Sequence, residues 1–122
     1  MRNGGTYNGA RILGPKTVKY MASNHLDASI VAGGSGEQPS LGGQLRGFGF
    51  GLGFGLVTDT AAGGVMGSVG EFNWGGAAGT VFWIDPVEEL VVVGMIQLMG
   101  SPYPFRSDLK VATYQALTES LE

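Results

Sequence analysis

The chain has no cysteine, a single histidine and few charges, and each shortage removes a class of chemistry. Without cysteine there are no disulfides and no thiolate metal ligands. His25 alone cannot build a histidine metal cluster, and any Ser-His-Asp triad would have to rest on it. It follows a predicted helix, where a cation at the C-terminal end is favourable, so its reading is structural. Seven Lys and Arg are scattered among ten Asp and Glu, for a net charge of -3. That gives no basic stripe and no nucleic-acid partner. The longest apolar runs, 47–57 and 90–100, fall short of the roughly 20 residues that a membrane helix needs. The first residues, Met1-Arg2-Asn3-Gly4-Gly5, lack the apolar core of a signal peptide. The chain reads as soluble, cytoplasmic by default, without membrane partner, metal or cofactor.

Hydrophobic residues make up 43% of the 122 positions, enough for a folded single domain over 1–122. Glycine is the excess, at 23 residues. Asn3-Gly4-Gly5 and Asn8-Gly9 are turn signals, and Pro15 suits the first turn of a helix running to about Asn24. Val18, Met21 and Ala22 give that helix a narrow apolar face. Residues 33–44 are a Gly/Ser/Pro-rich connection. From Gly47 to Leu56, glycines alternate strictly with Phe48, Phe50, Leu52, Phe54 and Leu56, which predicts a strand whose glycine face is either approached closely by another element or left as an open surface. The spacing does not supply the Gly-x-Gly-x-x-Gly of a nucleotide loop. A loop over 57–70 precedes two predicted strands, Phe72 to Ile84 and Leu90 to Leu98, joined by the acidic turn Asp85-Pro86-Val87-Glu88-Glu89. After Pro104, Ser107 is a plausible N-cap for a helix to about Leu121. Leu109, Ala112, Ala116, Leu117 and Leu121 would cover the sheet.

The order of Gly4-Gly5, the stretch from Leu13 to Met21, the Gly47 to Phe54 run, Glu71 to Thr80, Phe82-Trp83-Ile84-Asp85-Pro86 and Leu90 to Val93 resembles the C-terminal part of the serine β-lactamase, penicillin-binding protein and family VIII esterase superfamily. The resemblance implies a partial α+β fold: an antiparallel sheet of about three strands between an N-terminal and a C-terminal helix. It maps Trp74, Gly75 and Gly76 onto the family's Lys-Thr-Gly or Trp-Gly-Gly triplet, which lies beside the catalytic serine. It makes the Ala77 N–H an oxyanion donor, with the serine's own N–H as the second. The family's Ser-x-x-Lys and Tyr-x-Asn motifs would lie upstream of this chain, so no catalytic residue is assigned. Physically, small residues let a substrate approach strand amides that stabilise a developing oxyanion. A neutral Trp74 in place of a lysine suits ester substrates better than carboxylates, which need a cationic partner when buried. The bland alternative is glycines relieving a bulged strand, with Trp74 packed in the core.

Two other strings invite chemistry and are better explained structurally. Ser107-Asp108-Leu109-Lys110 matches Ser-x-x-Lys, but a helix N-cap followed by a solvated lysine is commonplace. Asp85, Glu88 and Glu89 read as a solvated acidic turn. The 90–98 strand is long and apolar, without Lys or Pro, and such an exposed edge recruits another strand. In the family, the corresponding strand pairs with an N-terminal one. Two functions follow: the C-terminal part of an esterase-like serine hydrolase, inactive alone and completed by an N-terminal half, or a stand-alone homodimeric module that binds a small ligand or protein beside Trp74.

Overall fold

Local turn chemistry sets the first elements. In the computed structural model, which describes residues 1–27 and 46–121, Thr6–Tyr7 (β1) and Ala10–Arg11 (β2) form a small antiparallel hairpin. Asn8 and Gly9 between them have φ of 47° and 76°, the left-handed pair that a tight hairpin turn requires. Helix α1 (Pro15–Met21) starts at its proline and buries Val18. It ends before Asn24 because the chain there turns to bind the sheet. Asn24 Oδ1 accepts from the Phe50 and Leu26 amides, and the Met21 carbonyl accepts from Leu52 N–H. The connection read over 33–44 lies outside the described residues.

The predicted single strand over 47–56 is instead a hairpin, β3 (Phe48–Phe50) and β4 (Gly55–Val57). Gly51 N–H donates to the Phe54 carbonyl at 2.9 Å, and Gly53 takes a φ of 104°. A Cβ on Gly51 would sit 2.3 Å from the Met21 carbonyl oxygen. Of the two readings of the glycine face, close approach holds at Gly51 while Gly53 is open, and the run folds back on itself. A short helix, α2 (Thr60–Gly63), then interrupts the predicted loop, with Asp59 Oδ1 accepting from Ala62 N–H as its cap.

The run 72–84 also doubles back. Strands β5 (Phe72–Gly75) and β6 (Val81–Asp85) flank a turn closed by Gly79 N–H to the Gly76 carbonyl. Strand β7 (Leu90–Gly94) follows the acidic turn and stops four residues before Leu98. The result is an antiparallel five-stranded sheet in the order β3-β4-β5-β6-β7, where about three strands were expected, because two long runs each supply two. The α+β class stands.

Helix α3 (Phe105–Gln115) has Pro104, not Ser107, at its N-cap and ends well before Leu121. Of the predicted apolar face only Leu109 meets the sheet, lying against Gly94; Ala112, Ala116, Leu117 and Leu121 are exposed. Lys110, Thr113 and Tyr114 turn inward instead. The cause lies underneath, where the sheet carries two fully buried carboxylates, Glu71 and Asp85, that need donors. The apolar core consists of Val18, Leu56, Val57, Phe72 and Trp83. Among the described residues no helix is long and apolar enough to cross a membrane.

Candidate functional site

Trp74 and Gly75 end β5, and Gly76 and Ala77 open the turn that follows. Strand β4 pairs only with Phe72 and Asn73, so the edge of β5 beyond Asn73 has no β4 neighbour. Gly76 N–H donates to the Thr80 carbonyl at 2.9 Å. Antiparallel ladders alternate the direction of their amides, so Gly75 N–H turns the other way, toward the uncovered edge. No backbone hydrogen bond to a described residue engages Ala77 N–H. Trp74 is 53% exposed and meets Phe50 edge-to-face, with ring centroids 5.1 Å apart. Trp74, Gly75, Gly76 and Ala77 run as one segment past the strand end, with Trp74 and Ala77 exposed and the two glycines half-buried.

Arg106, from the first turn of α3, reaches across this segment on the helix side and donates to the Gly76 carbonyl. A Cβ on Gly75 would stand 2.7 Å from its guanidinium carbon, so glycine admits the arginine. Nothing near residue 74 in the sequence signals Arg106, which lies 30 positions from its acceptor.

Beside it lies a polar cluster under α3. Glu71 Oε1 accepts from Lys110 Nζ at 2.6 Å and Asn73 Nδ2 at 3.2 Å, and Oε2 lies 3.1 Å from the Tyr114 hydroxyl. Asp85 Oδ2 accepts from Ser68 N–H and Oγ and lies 2.7 Å from the same hydroxyl. Its Oδ1 accepts from the Val87 and Glu88 amides. Burial, then the hydrogen bond to Asp85 and the negative charge of Glu71, push the Tyr114 phenol far above the ordinary tyrosine range. Tyr114 is thus held as a neutral donor between two carboxylates.

This corrects the reading of the acidic turn as solvated. Asp85 is fully buried and ties the turn to the sheet. Glu88 accepts from Ser120 Oγ and Leu121 N–H, and Glu89 pairs at the surface with Arg2 at 3.1 Å. In the Ser-x-x-Lys string, Ser107 Oγ donates to the Pro104 carbonyl while Lys110 is paired with Glu71. The two side chains are thus engaged with different partners. His25 stacks edge-to-face on Tyr20 and hydrogen-bonds through Nε2 to the Tyr20 carbonyl at 2.8 Å, pinning the end of α1. No group of His, Asp or Glu among the described residues is placed to hold a metal ion.

No family model matches the chain. Two curated Mycobacterium tuberculosis relatives, Protein Rv1367c of strain H37Rv and Uncharacterized protein MT1414 of strain CDC 1551, are each 34% identical over 97 residues. The match takes in 76% of this chain but only 23% of either relative. Among solved structures, EstCE1, a hydrolase with promiscuous acyltransferase activity, superposes with a TM-score of 0.65 at 22% identity, covering 92% of this chain and 26% of EstCE1. Simvastatin synthase (LovD) from Aspergillus terreus superposes with a TM-score of 0.60 at 23% identity, covering 90% of this chain and 31% of LovD. The chain thus shares the fold of these two solved structures, over a stretch that makes up about a quarter to a third of each.

Proposed function

We propose that this chain supplies the oxyanion-side wall of an esterase-like serine hydrolase or acyltransferase site whose nucleophile lies outside residues 1–122. The observation that carries the reading is the uncovered end of β5, where the Gly75 amide faces an open strand edge and the Ala77 amide has no backbone acceptor. Preorganised amides of this kind stabilise charge that develops on an acyl oxygen. Trp74 gives the wall an apolar, uncharged lip, which suits a neutral ester more than a free carboxylate. We expect this chain to be inactive alone: Ser107 and Lys110 are engaged with different partners, and the Ser68 hydroxyl is taken up by the buried Asp85.

The test has two arms. The isolated chain is exposed to a fluorophosphonate probe and mapped by mass spectrometry; labelling of Ser107 or another serine overturns the reading. Rv1367c lacking the 97 residues that match this chain is then mixed with it and assayed on p-nitrophenyl butyrate. Hydrolysis that appears only in the mixture supports the wall assignment.

A second reading is favoured by β7. It forms an edge of the sheet, with Val91 52% and Val93 62% exposed, and an edge of that kind accepts another strand. In this reading two copies pair antiparallel along β7 as a homodimeric binding module. A monomer in sedimentation velocity at micromolar concentration counts against it.

A further inference from the structure

A concavity lies between α3 and strands β3, β5 and β6, with Trp74 and Gly75 of the candidate wall among its lining residues. It measures about 520 Å³, inside the range of about 300–1,000 Å³ typical of small-molecule sites. Most of its wall is apolar, supplied by Phe48, Val65, Val81 and Trp83. Lys110 and Glu71 also line it but neutralise one another at 2.6 Å. Arg106 is different. It is held to the Gly76 carbonyl through one nitrogen, and a guanidinium carries five N–H donors. The wall therefore keeps a positive charge with donors to spare.

Trp83 adds an independent signal. It is 1% exposed, and its Nε1–H is the one buried side-chain polar atom among the described residues with no hydrogen-bond partner. Buried donors are as a rule satisfied, so an unpaired one in a residue that lines a cavity marks a place for an acceptor. The cavity thus combines an apolar body, an unpaired buried donor and a cationic rim.

We propose that this cavity binds a small amphipathic carboxylate. The apolar part of the ligand packs on Phe48, Val65 and Val81, and its carboxylate accepts from Trp83 Nε1–H and the Arg106 guanidinium. A carboxylate fits a planar guanidinium through two oxygens, and a single negative charge is less costly than a phosphate dianion against an apolar wall. Trp74 and Gly75 border the cavity as well, so it adjoins the oxyanion wall, with Arg106 between the two.

The experiment follows the indole N–H signals of the 15N-labelled chain during titration with 1-naphthoate, and in parallel with the neutral 1-naphthalenemethanol. The chain has two tryptophans, and Trp74→Phe assigns the signal of Trp83. We expect a saturable shift of the Trp83 Nε1–H with naphthoate and weaker binding of the alcohol. Arg106→Gln should weaken naphthoate about tenfold, the scale of one charge-assisted hydrogen bond, while leaving the alcohol unchanged. An unmoved Trp83 signal, equal affinity for acid and alcohol, or naphthoate binding indifferent to Arg106→Gln would each overturn the proposal. None of these outcomes depends on hydrolysis, so the oxyanion wall stands or falls separately.

Discussion

The two faces of the sheet are held by opposite means. Under α3 the chain buries two whole carboxylates, Glu71 and Asp85, and surrounds them with Ser68, Asn73, Lys110 and Tyr114. On the other face, Phe72 packs against Phe54 at a centroid distance of 5.1 Å, but toward β7 the residues Val91 and Val93 stand open. Only 14% of the chain is charged, yet two of its carboxylates lie where they are most costly to strip of partners. One face is held by a specific polar network, while the other is apolar and open toward β7. Mutations should therefore be punished on the first face and tolerated on the second.

The most severe break is Asp85→Ala. It removes the acceptor for the Val87, Glu88 and Ser68 amides, the Ser68 hydroxyl and Tyr114, the two Ser68 bonds being fully buried and the others partly so. Several orphaned donors at about 1–3 kcal/mol each should cost about 4 kcal/mol or more in urea unfolding. A domain of this size has a total stability of only about 5–15 kcal/mol, so much of the protein should unfold on mild heating. A loss under about 1 kcal/mol would show that the network is not what holds α3 down.

Tyr114→Phe is a gentler cut in the same place, with an expected loss of about 1–2 kcal/mol at neutral pH from the missing donor between two carboxylates. Its pH dependence sharpens the comparison. The folded phenol is held above its unfolded value of about 10, so the unfolded chain releases this proton first. Stability is whole below that pH and declines as pH rises beyond it. Alkaline unfolding of the wild type should include this decline, and the phenylalanine variant should lack it. Spectrophotometric titration should show the Tyr114 phenolate appearing only together with unfolding.

What was legible in the sequence follows the same division. Asn8-Gly9, Pro15 and the Asp85 to Glu89 turn announce themselves locally, and each lies where local chemistry puts it. The apolar strands were legible too, but not their folding back. Alternating Gly and Phe from 47 to 56 has the same period whether the run is one strand or two. The decision is made at a distance, by the Met21 carbonyl on Leu52 N–H and the turn at Gly51 to Phe54. For α3, counting apolar positions picked the wrong stripe, because the surface beneath it is acidic. Glu71 and Asp85 select Lys110 and Tyr114, 39 and 29 positions away. At the candidate site, Trp74 to Ala77 could be named from the sequence. Arg106, whose side chain crosses it, could not.

Two glycines test whether the wall belongs to the demanding face or to the tolerant one. Gly67 has a φ of 125°, and a Cβ there would lie 2.5 Å from Glu71 Oε2 and 3.0 Å from the Tyr114 hydroxyl. Gly67→Ala should cost about 2 kcal/mol, combining backbone strain with disruption of the carboxylate network. Gly75→Ala meets only the movable end of Arg106. It should cost less than about 1 kcal/mol in stability, while displacing Arg106 from the Gly76 carbonyl. Equal losses in thermal unfolding would mean that the wall is locked into the same network.

The smallest expected effect is also the one that bears most on the open face. Val93 is 62% exposed on an edge strand that pairs with β6 on one side only. Val93→Lys should change stability by no more than about 0.5 kcal/mol, as surface substitutions do, because no packing is lost in the isolated chain. A lysine on an edge is nevertheless an effective block to strand pairing. If β7 joins a second copy, sedimentation velocity should show the wild type as a dimer and the variant as a monomer at the same concentration. If both are monomers, self-pairing along β7 fails while pairing with a strand from outside residues 1–122 still stands. That case is read from complementation, where the lysine should reduce hydrolysis by the reassembled mixture although each part remains folded. A large loss of stability in the isolated chain would instead mean that Val93 is already covered, and the contrast between the two faces would fail.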